Sequence, residues 1–352
     1  MGTVIHFLKA RHGDAFVVET LKEEGEQEIV VIDGGVSDTF QKSLKELIKG
    51  YSKIDLLILT HTDEDHIGGL ISFFKSNLYS KTTIQEYWAN CKYSILFGQG
   101  SQISFNQAKT FKKFLIKKEA ENSETKWDRD IVFTGELWKR NCIEFVVLSP
   151  QVEQLEKFYE KWSAFEEQDR SQLSNEYIDQ LKKGSIEYLA QQSFNPDSTV
   201  EADFANASSI AFIMKCEDIS ILFLGDARPE VIVDSLEKLG YDQSNNRLNV
   251  DYVKISHHGS KNNTSPELLN YINCNNYIIS TNGGTARSKH PDRETIARIL
   301  CRNSKDDNPT NLYFNYKLSD IEAKAGVFLT DSECKEYNCV IYDDVTRIPY
   351  EK

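Results

Sequence analysis

Apolar and polar residues follow two kinds of pattern along this chain. Short apolar runs bounded by polar residues predict strands at 3–9, 15–21, 29–32, 54–59, 84–90, 131–133, 143–148, 208–216, 219–224, 250–256 and 277–281. Apolar residues spaced by three or four predict helices at 38–50, 70–78, 102–122, 229–239, 266–271 and 293–301. This order of elements predicts an α/β fold in which helices cover sheets.

Two segments depart from this order of strands and helices. Residues 151–194 are polar and highly charged, and they predict an insertion of two or more helices. The first helix would carry an apolar stripe and the second a shorter one: Leu155, Phe158, Tyr159, Trp162 and Phe165, then Tyr177, Leu181, Tyr188 and Leu189. Residues 311–352 predict two or three antiparallel strands, one of them at 325–329. We therefore expect one catalytic domain, formed by 1–150 and 195–310, on which the tail packs.

A polar array follows the predicted strand at 54–59. Within six residues it contains four side chains that can bind metals: His61, Asp63, Asp65 and His66. Two glycines and a helical pattern come next, so the array lies in a turn between a buried strand and a helix. The simpler interpretation is that its acidic residues only cap that helix. Capping needs one carboxylate, however, and it leaves both histidines unexplained.

Further polar residues stand at later strand ends. Asp226 follows a glycine after the strand at 219–224, and His257 and His258 follow the strand at 250–256. Adjacent side chains point in different directions, so we expect only one of these two histidines to face a site. His290 fits either the start of the helix at 293–301 or a metal ligand. Lys254 fits either a surface position or a proton donor.

The array His-x-Asp-x-Asp-His resembles the metal signature of the metallo-β-lactamase fold. Its aspartate at the third place resembles the hydrolase domain of the ComEC-type competence proteins. Other matches occur in the order seen in those domains: Gly13-Asp14-Ala15, Asp33-Gly34-Gly35, Asn206 with Ser208-Ser209, Gly225-Asp226, His257-His258-Gly259-Ser260 and His290-Pro291. The resemblance implies a four-layer αββα sandwich, here free-standing, without the membrane channel of those proteins.

The resemblance also implies a centre of two divalent metal ions, Zn²⁺ or Mn²⁺. His61 and Asp63 would hold one ion, Asp65 and His66 the other, and Asp226 would lie between them. Three further histidines would complete the site or donate protons: His257, His258 and His290.

The chain departs from many two-zinc members of that fold in one respect. It has no histidine between His66 and His257, where those members carry one. Asn206 or Ser209 could face the site instead, or could simply open the following strand. A centre that is poorer in nitrogen and richer in oxygen favours harder ions, which makes Mn²⁺ plausible beside Zn²⁺.

Composition narrows the class of partner. The net charge of −13 disfavours broad nonspecific binding to nucleic acid without excluding a local basic groove. The cysteines are odd in number and form no Cys-x-x-Cys pair, which indicates reduced thiols and a cytoplasmic location. No apolar run approaches the length of a membrane span, so we expect no membrane partner.

These observations favour a metal-dependent hydrolase of phosphodiesters, acting on DNA through a metal-bridging hydroxide. Its catalytic residues would be Asp65, Lys254, His257 and His258. One alternative is hydrolysis of a small phosphoester, a cyclic nucleotide or a lactone, with the insertion as a lid. Another is a non-catalytic module that binds a partner. The helical insertion at 151–194 could join a second copy or another protein.

Overall fold

The computed structural model describes residues 2–21, 25, 27–91, 103–121, 125–127, 129–165, 184–285, 289–302 and 308–349. The strands of this part of the chain are β1 Gly2–Phe7, β2 Phe16–Leu21, β3 Gln27–Ile32, β4 Lys53–Leu59, β5 Thr83–Ala89, β6 Leu137–Arg140, β7 Ile143–Ser149, β8 Ala211–Lys215, β9 Ser220–Phe223, β10 Leu248–Asn249, β11 Tyr252–Lys254, β12 Ile272–Asn273, β13 Asn276–Ile279, β14 Thr310–Phe314, β15 Cys339–Tyr342 and β16 Arg347–Ile348.

The α-helices of the same part are α1 Lys45–Ile48, α2 Glu64–Phe74, α3 Ile103–Glu121, α4 Val152–Phe165, α5 Ile186–Ala190, α6 Phe204–Ala207, α7 Pro229–Lys238, α8 Pro266–Tyr271, α9 Arg293–Leu300, α10 Leu318–Ala325 and α11 Asp331–Glu336. A π-helical turn, Phe40–Leu44, leads directly into α1. Most of the predicted elements are therefore present with shifted ends.

Two mixed sheets organise the domain. The first has six strands in the order β16-β1-β2-β3-β4-β5, and β3, β4 and β5 run parallel. The second has eight strands in the order β15-β14-β13-β11-β9-β8-β7-β6, of which the first five run parallel. Parallel neighbours place their carboxyl ends at one edge of a sheet, so the loops that follow them lie close together.

Side chains from alternate strand positions fill separate layers. In β4, Leu56 and Ile58 enter the core between the two sheets, whereas Leu57 and Leu59 pack under helices α1 to α4. Helices α5 and α7 to α10 cover the outer face of the second sheet in the same way. The continuous apolar run of β4 therefore reflects burial on both faces. The layers form the four-layer αββα sandwich that the resemblance implied.

The insertion begins as predicted. Helix α4 buries Leu155 and Phe158 in the layer over the first sheet, and the Tyr159 hydroxyl donates to Asp130 Oδ1 at 2.8 Å. The stripe is thus a packing face up to Tyr159, and the side chains of Trp162 and Phe165 lie outside the described residues. Tyr177 and Leu181, which were predicted in a second helix, lie outside the described residues, whereas Leu189 is buried in α5.

Two predictions of secondary structure are wrong. Residues 131–133 form no strand, because their backbone bonds go elsewhere: Ile131 bonds both ways with the Asn90 amide, and the Phe133 N–H donates to the Pro150 carbonyl.

The tail is not a set of antiparallel strands either. Its strands β14 and β15 are parallel, and a parallel pair needs a long crossover, here α10 and α11. Residues 325–329, which were predicted as a strand, form the last residue of α10 and the coil that follows it. The short β16 returns to the first sheet, where it pairs antiparallel with β1. Within the described ranges, no helix combines the length and the apolar character that a membrane crossing requires.

Candidate metal centre

The centre forms where the carboxyl ends of strands from both sheets meet. Strand β4 leads through residues 60–63 into α2, and neighbouring β3 ends at Asp33. From the second sheet, β9 leads to Asp226, and β11 leads to a short 3₁₀ turn that contains His257 and His258. The four predicted ligands of the array and these later residues are thereby brought to one place.

Asp33 holds the first loop in position. Its Oδ1 accepts from the Thr60 backbone N–H at 2.8 Å. Its Oδ2 accepts from the Thr60 hydroxyl at 2.7 Å and lies 2.8 Å from His66 Nδ1. Asp33 and His66 are fully buried. A proton on Nδ1 satisfies this bond, so the opposite nitrogen of His66, Nε2, points into the centre.

The aspartates of the array occupy the start of α2. Asp63 is the N-cap residue of α2, but its side chain makes no capping bond; its Oδ2 lies 3.7 Å from His61 Nε2, and it is 45% exposed. Asp65 lies in the first turn, and its Oδ2 is 3.3 Å from His258 Nε2. Gly13 packs against this turn so closely that a Cβ there would lie 1.8 Å from the Asp65 carbonyl oxygen.

Asp226 lies at the middle of the centre. Its Oδ2 is 3.6 Å from His61 Nε2 and 3.4 Å from His66 Nε2. The backbone N–H of Asp226 donates to the Ser209 hydroxyl at 3.1 Å, and this bond holds the loop in place. Ser209 therefore serves the site indirectly. The loop also places Asp226 within reach of the second pair of histidines.

Both His257 and His258 face the centre, so the prediction that only one would do so is wrong. Each has its Nε2 3.9 Å from Asp226 Oδ2. The backbone explains this, because both residues adopt left-handed conformations, with φ of 47° and 56°. Two such residues in succession break the alternation of an extended chain. Such backbone strain is common where function fixes a geometry.

Neighbouring charges in the centre shift one another's pKa values. Burial opposes a charge on Asp226, yet the surrounding imidazoles, led by His66, hold its pKa well below the usual range. Burial alone would lower the pKa values of His66 and His258, but Asp226 and neighbouring carboxylates raise both, that of His258 to about 9. Burial and the nearby His66 lower the pKa of His61 to about 4. Protonated imidazoles thus balance buried carboxylates here.

Unsatisfied atoms show that this arrangement fits a cation. Within the described part of the chain, four buried atoms of the centre have no hydrogen-bond partner: His61 Nε2, His66 Nε2, Asp226 Oδ1 and His258 Nε2. Buried polar atoms without partners are costly and call for an explanation. Two groups of three side chains each place ligand atoms within 4.8 Å of one another: His61 with His66 and Asp226, and Asp65 with His66 and His258. These are the residues that would hold divalent ions.

Lys254 lies beneath the centre. Its side chain is 1% exposed, so the surface interpretation is wrong. The ammonium pairs with the buried Asp14 carboxylate and donates to the Gly225 carbonyl at 3.0 Å. Asp14 in turn lies 3.5 Å from His258 Nδ1. These contacts tie loops from the two sheets together, which favours a positioning role over the proton donation suggested by the sequence.

His290 lies at the rim. Its ring centroid is 5.5 Å from that of His257, and its Nδ1 lies 3.5 Å from Asp292 Oδ2, just before α9. It belongs to neither group of three. Asn206, the other candidate, places its Nδ2 3.5 Å from His257 Nδ1, so it lies beside the site and not within it.

The sequence analysis assigned no role to three supporting residues: Asp14, Asp33 and Asn263. The first two had a signal, since both stand in motifs that carried the resemblance and follow or precede a buried strand. Asn263 had none, because its importance depends on which atoms its amide faces. Each of the three lies within 3.5 Å of the histidine nitrogen that faces away from the centre: Asp14 beside His258, Asp33 beside His66 and Asn263 beside His257.

Comparisons with known proteins agree with this architecture. Residues 8–138 match the model of the metallo-beta-lactamase superfamily. The ComE operon protein 3 of Bacillus subtilis (strain 168) is 28% identical over 149 residues, a match that spans 40% of this chain and 18% of that relative.

Two solved structures are similar over almost the whole chain. The metallo-beta-lactamase fold protein YhfI from Bacillus subtilis is 10% identical with a TM-score of 0.41, and 99% of each chain is covered. Zn²⁺-bound PqqB from Methylobacterium extorquens is 8% identical with a TM-score of 0.44, and 99% of this chain and 100% of that one are covered. Residues 8–138 are thus similar in sequence to the metallo-β-lactamase superfamily, and the four-layer sandwich is the fold that this similarity implies.

Proposed function

We propose that this chain is a metal-dependent hydrolase of phosphodiester bonds and that its substrate is DNA. The observation that carries the proposal is the convergence of five potential ligands on one place: His61, Asp65, His66, Asp226 and His258. In the part of the chain that the structure describes, four of these five carry a buried atom without a hydrogen-bond partner. The aspartate at the third place of the array, which resembles the ComEC-type hydrolase domains, favours phosphodiester over lactam chemistry.

Two divalent ions, Zn²⁺ or Mn²⁺, are the cofactors of this proposal. When bound, such ions polarise an ester and lower the pKa of a water molecule. The chain supplies imidazole nitrogens and carboxylate oxygens in a mixture that suits either ion. We assign two further ligands, Asp63 and His257, to the side of the centre that is open to solvent.

The remaining roles belong to residues around the ligands. Asp33 and the Ser280 carbonyl hold the Nδ1 atoms of His66 and His258, at 2.8 Å and 3.0 Å, so that their Nε2 atoms stay directed inward. Lys254 fixes the position of the loop before Asp226. The side chain of His257 is 29% exposed, so its ring reaches both the centre and solvent.

The net charge of −13 is the specific observation that favours a second candidate, hydrolysis of a small phosphoester. A polyanion such as DNA meets a repulsive field from an acidic protein, whereas a small ester requires only a pocket. This candidate shares the metal centre and differs only in what approaches it.

The experiment is turnover of bis-p-nitrophenyl phosphate, single-stranded DNA and duplex DNA with Mn²⁺ or Zn²⁺. We expect cleavage of all three by the wild type and none by the double variant Asp65→Ala with Asp226→Ala. Glu46→Gln, a change in an exposed ion pair of α1, is the matched control and should retain activity. Cleavage of the small ester alone would replace DNA by the second candidate. Equal turnover by the double variant would refute the metal centre.

A further inference from the structure

Asn263 lies in the loop that follows the two adjacent histidines, and its side chain is buried. One end of its amide, Nδ2, donates to the Asp226 carbonyl at 3.0 Å and lies 3.5 Å from the Ala227 carbonyl oxygen. The other end, Oδ1, lies 3.1 Å from His257 Nδ1. One side chain thus links the loop of Asp226 to the ring of His257.

The partners of this amide determine its orientation. Carbonyl oxygens only accept hydrogen bonds, so the NH₂ end of Asn263 must face Asp226 and Ala227. The reverse orientation would bring its oxygen against two acceptors. With the NH₂ end fixed, Oδ1 faces His257 Nδ1, and an amide oxygen also only accepts. His257 Nδ1 must therefore carry a hydrogen.

A neutral His257 with its hydrogen on Nδ1 has a lone pair on Nε2. That atom lies 3.9 Å from Asp226 Oδ2, on the side of the centre. Histidine in water prefers the opposite tautomer, with the hydrogen on Nε2, so an acceptor at Nδ1 is needed to reverse the preference. Asn206 does not supply one, because its Nδ2 atom, 3.5 Å from His257 Nδ1, is a donor.

The other inward-facing histidines follow the same rule. His258 Nδ1 lies 3.0 Å from the Ser280 carbonyl oxygen, and His66 Nδ1 lies 2.8 Å from Asp33 Oδ2. A backbone carbonyl, a carboxylate and an amide oxygen therefore each accept a hydrogen bond from the Nδ1 atom of a different ring. Outer partners of this kind orient metal-binding histidines and set their tautomer.

We propose that Asn263 is a positioning residue that holds His257 in its Nδ1–H tautomer and so directs the Nε2 lone pair into the metal centre. The consequence for metal binding deepens the proposed function and rests on it. The tautomer itself is a property of the metal-free protein. Asn263 thereby makes His257 an additional nitrogen donor in a centre whose sequence has no histidine between His66 and His257.

The test is a long-range ¹⁵N–¹H correlation spectrum of metal-free protein labelled on histidine, recorded at pH 8. We expect the wild type to show His257 with hydrogen on Nδ1. Asn263→Leu, which keeps the volume but removes the acceptor, should shift His257 towards the Nε2–H form, while the signals of His66 and His258 stay unchanged. Asn262→Leu is the control, because Asn262 bonds Asp197 on the outer side and does not contact His257.

Calorimetric titration with Mn²⁺ gives a second readout. We expect Asn263→Leu to weaken Mn²⁺ binding about tenfold and Asn262→Leu to leave it unchanged. A wild-type His257 with hydrogen on Nε2 would overturn the proposal without any variant, and so would an Asn263→Leu protein that keeps the wild-type spectrum. Because no substrate is present, an inactive wild type would refute the hydrolase and not this role.

Discussion

The two sheets contribute to the metal centre in different ways. The first sheet supplies His61, Asp63, Asp65 and His66 from one continuous turn at the start of α2. The second sheet supplies Asp226, His257 and His258 from two separate loops. The first group rests on a helix and on the Asp33 carboxylate, whereas the second rests on left-handed backbone and on bonds to an amide and a carbonyl.

Exposure differs within each group. The side chains of His61, His66 and His258 are 3%, 0% and 3% exposed, but those of Asp63 and His257 are 45% and 29% exposed. A dry site strengthens charge interactions and holds its ligands in one position. We infer that the buried histidines provide most of the binding free energy for metal ions. Asp63 and His257, one from each sheet, then form the open side, where substrate and protons exchange.

Asp226 should show the largest effect, since it is the one carboxylate of the described ranges that lies within 4 Å of histidines of both groups. Asp226→Asn keeps the shape but removes the charge that four imidazoles surround. We expect phosphodiester turnover to fall by at least roughly 10³-fold, with metal binding lost together with it. Turnover and metal content, measured on the same sample, check this. Retention of both would show that the two groups work without a shared carboxylate.

A direct comparison of the two groups comes from two matched substitutions. His66→Asn should weaken Mn²⁺ binding by at least about 100-fold, whereas His257→Asn should weaken it by about tenfold. Asparagine is suitable at position 257 because it tolerates left-handed backbone better than most residues. Calorimetric titration gives both values. A larger loss from His257→Asn would reverse the assignment of strong and open sides.

The support of the first group is tested by Asp33→Asn. The change removes the charge that orients His66 and fixes Thr60, so we expect Mn²⁺ affinity to fall 10- to 100-fold and stability to fall by about 1–3 kcal/mol. Asp55→Asn is the matched control, because Asp55 is another buried carboxylate of this sheet that accepts from the Ile29 N–H away from the centre. It should lower stability without changing metal affinity. Equal losses of affinity would assign the effect of Asp33 to folding alone.

The smallest effect concerns the stability of the second sheet's helices. Hydrogen bonds from Arg293 at the start of α9 lower the pKa of Glu333 to about 2, although burial opposes this. The stabilisation is therefore complete above the unfolded pKa of about 4.5 and is lost as pH falls through about 2. We expect Glu333→Gln to cost about 2 kcal/mol at pH 7, a difference that shrinks below pH 4.5.

Urea denaturation across pH measures this difference. Glu336→Gln, at an exposed position of the same helix, provides the control. Turnover at pH 7 should be unchanged in both variants, because neither side chain approaches the metal centre. A constant difference at all pH values would exclude the ion pair as its source.

The residues of the first group were easier to predict from the sequence than those of the second. The array at 61–66 is local, so its spacing alone predicted a turn with metal ligands. The apolar run before it predicted the strand that carries it. Asp226 stood out because a glycine and a carboxylate followed an apolar run, but only the resemblance to the metallo-β-lactamase fold placed it in the centre. The family match over 8–138 covers the array and not Asp226.

The rest depended on contacts between distant residues. No local pattern indicates that His257 and His258 both take left-handed backbone, because the strain is imposed by the loops around them. The buried pairing of Lys254 with Asp14 joins residues from different sheets. Residues 131–133 looked like a strand because they are apolar, yet their backbone partners are the Asn90 amide and Pro150.

The most direct measurement of the central claim is a crystal structure of the protein with Mn²⁺, with data collected at the manganese absorption edge. We expect anomalous density at two positions. One lies among His61, His66 and Asp226, and the other lies beside Asp65 and His258. Density at neither position, in crystals that contain Mn²⁺ and retain the wild-type fold, would contradict the proposed metal centre and the hydrolysis assigned to it.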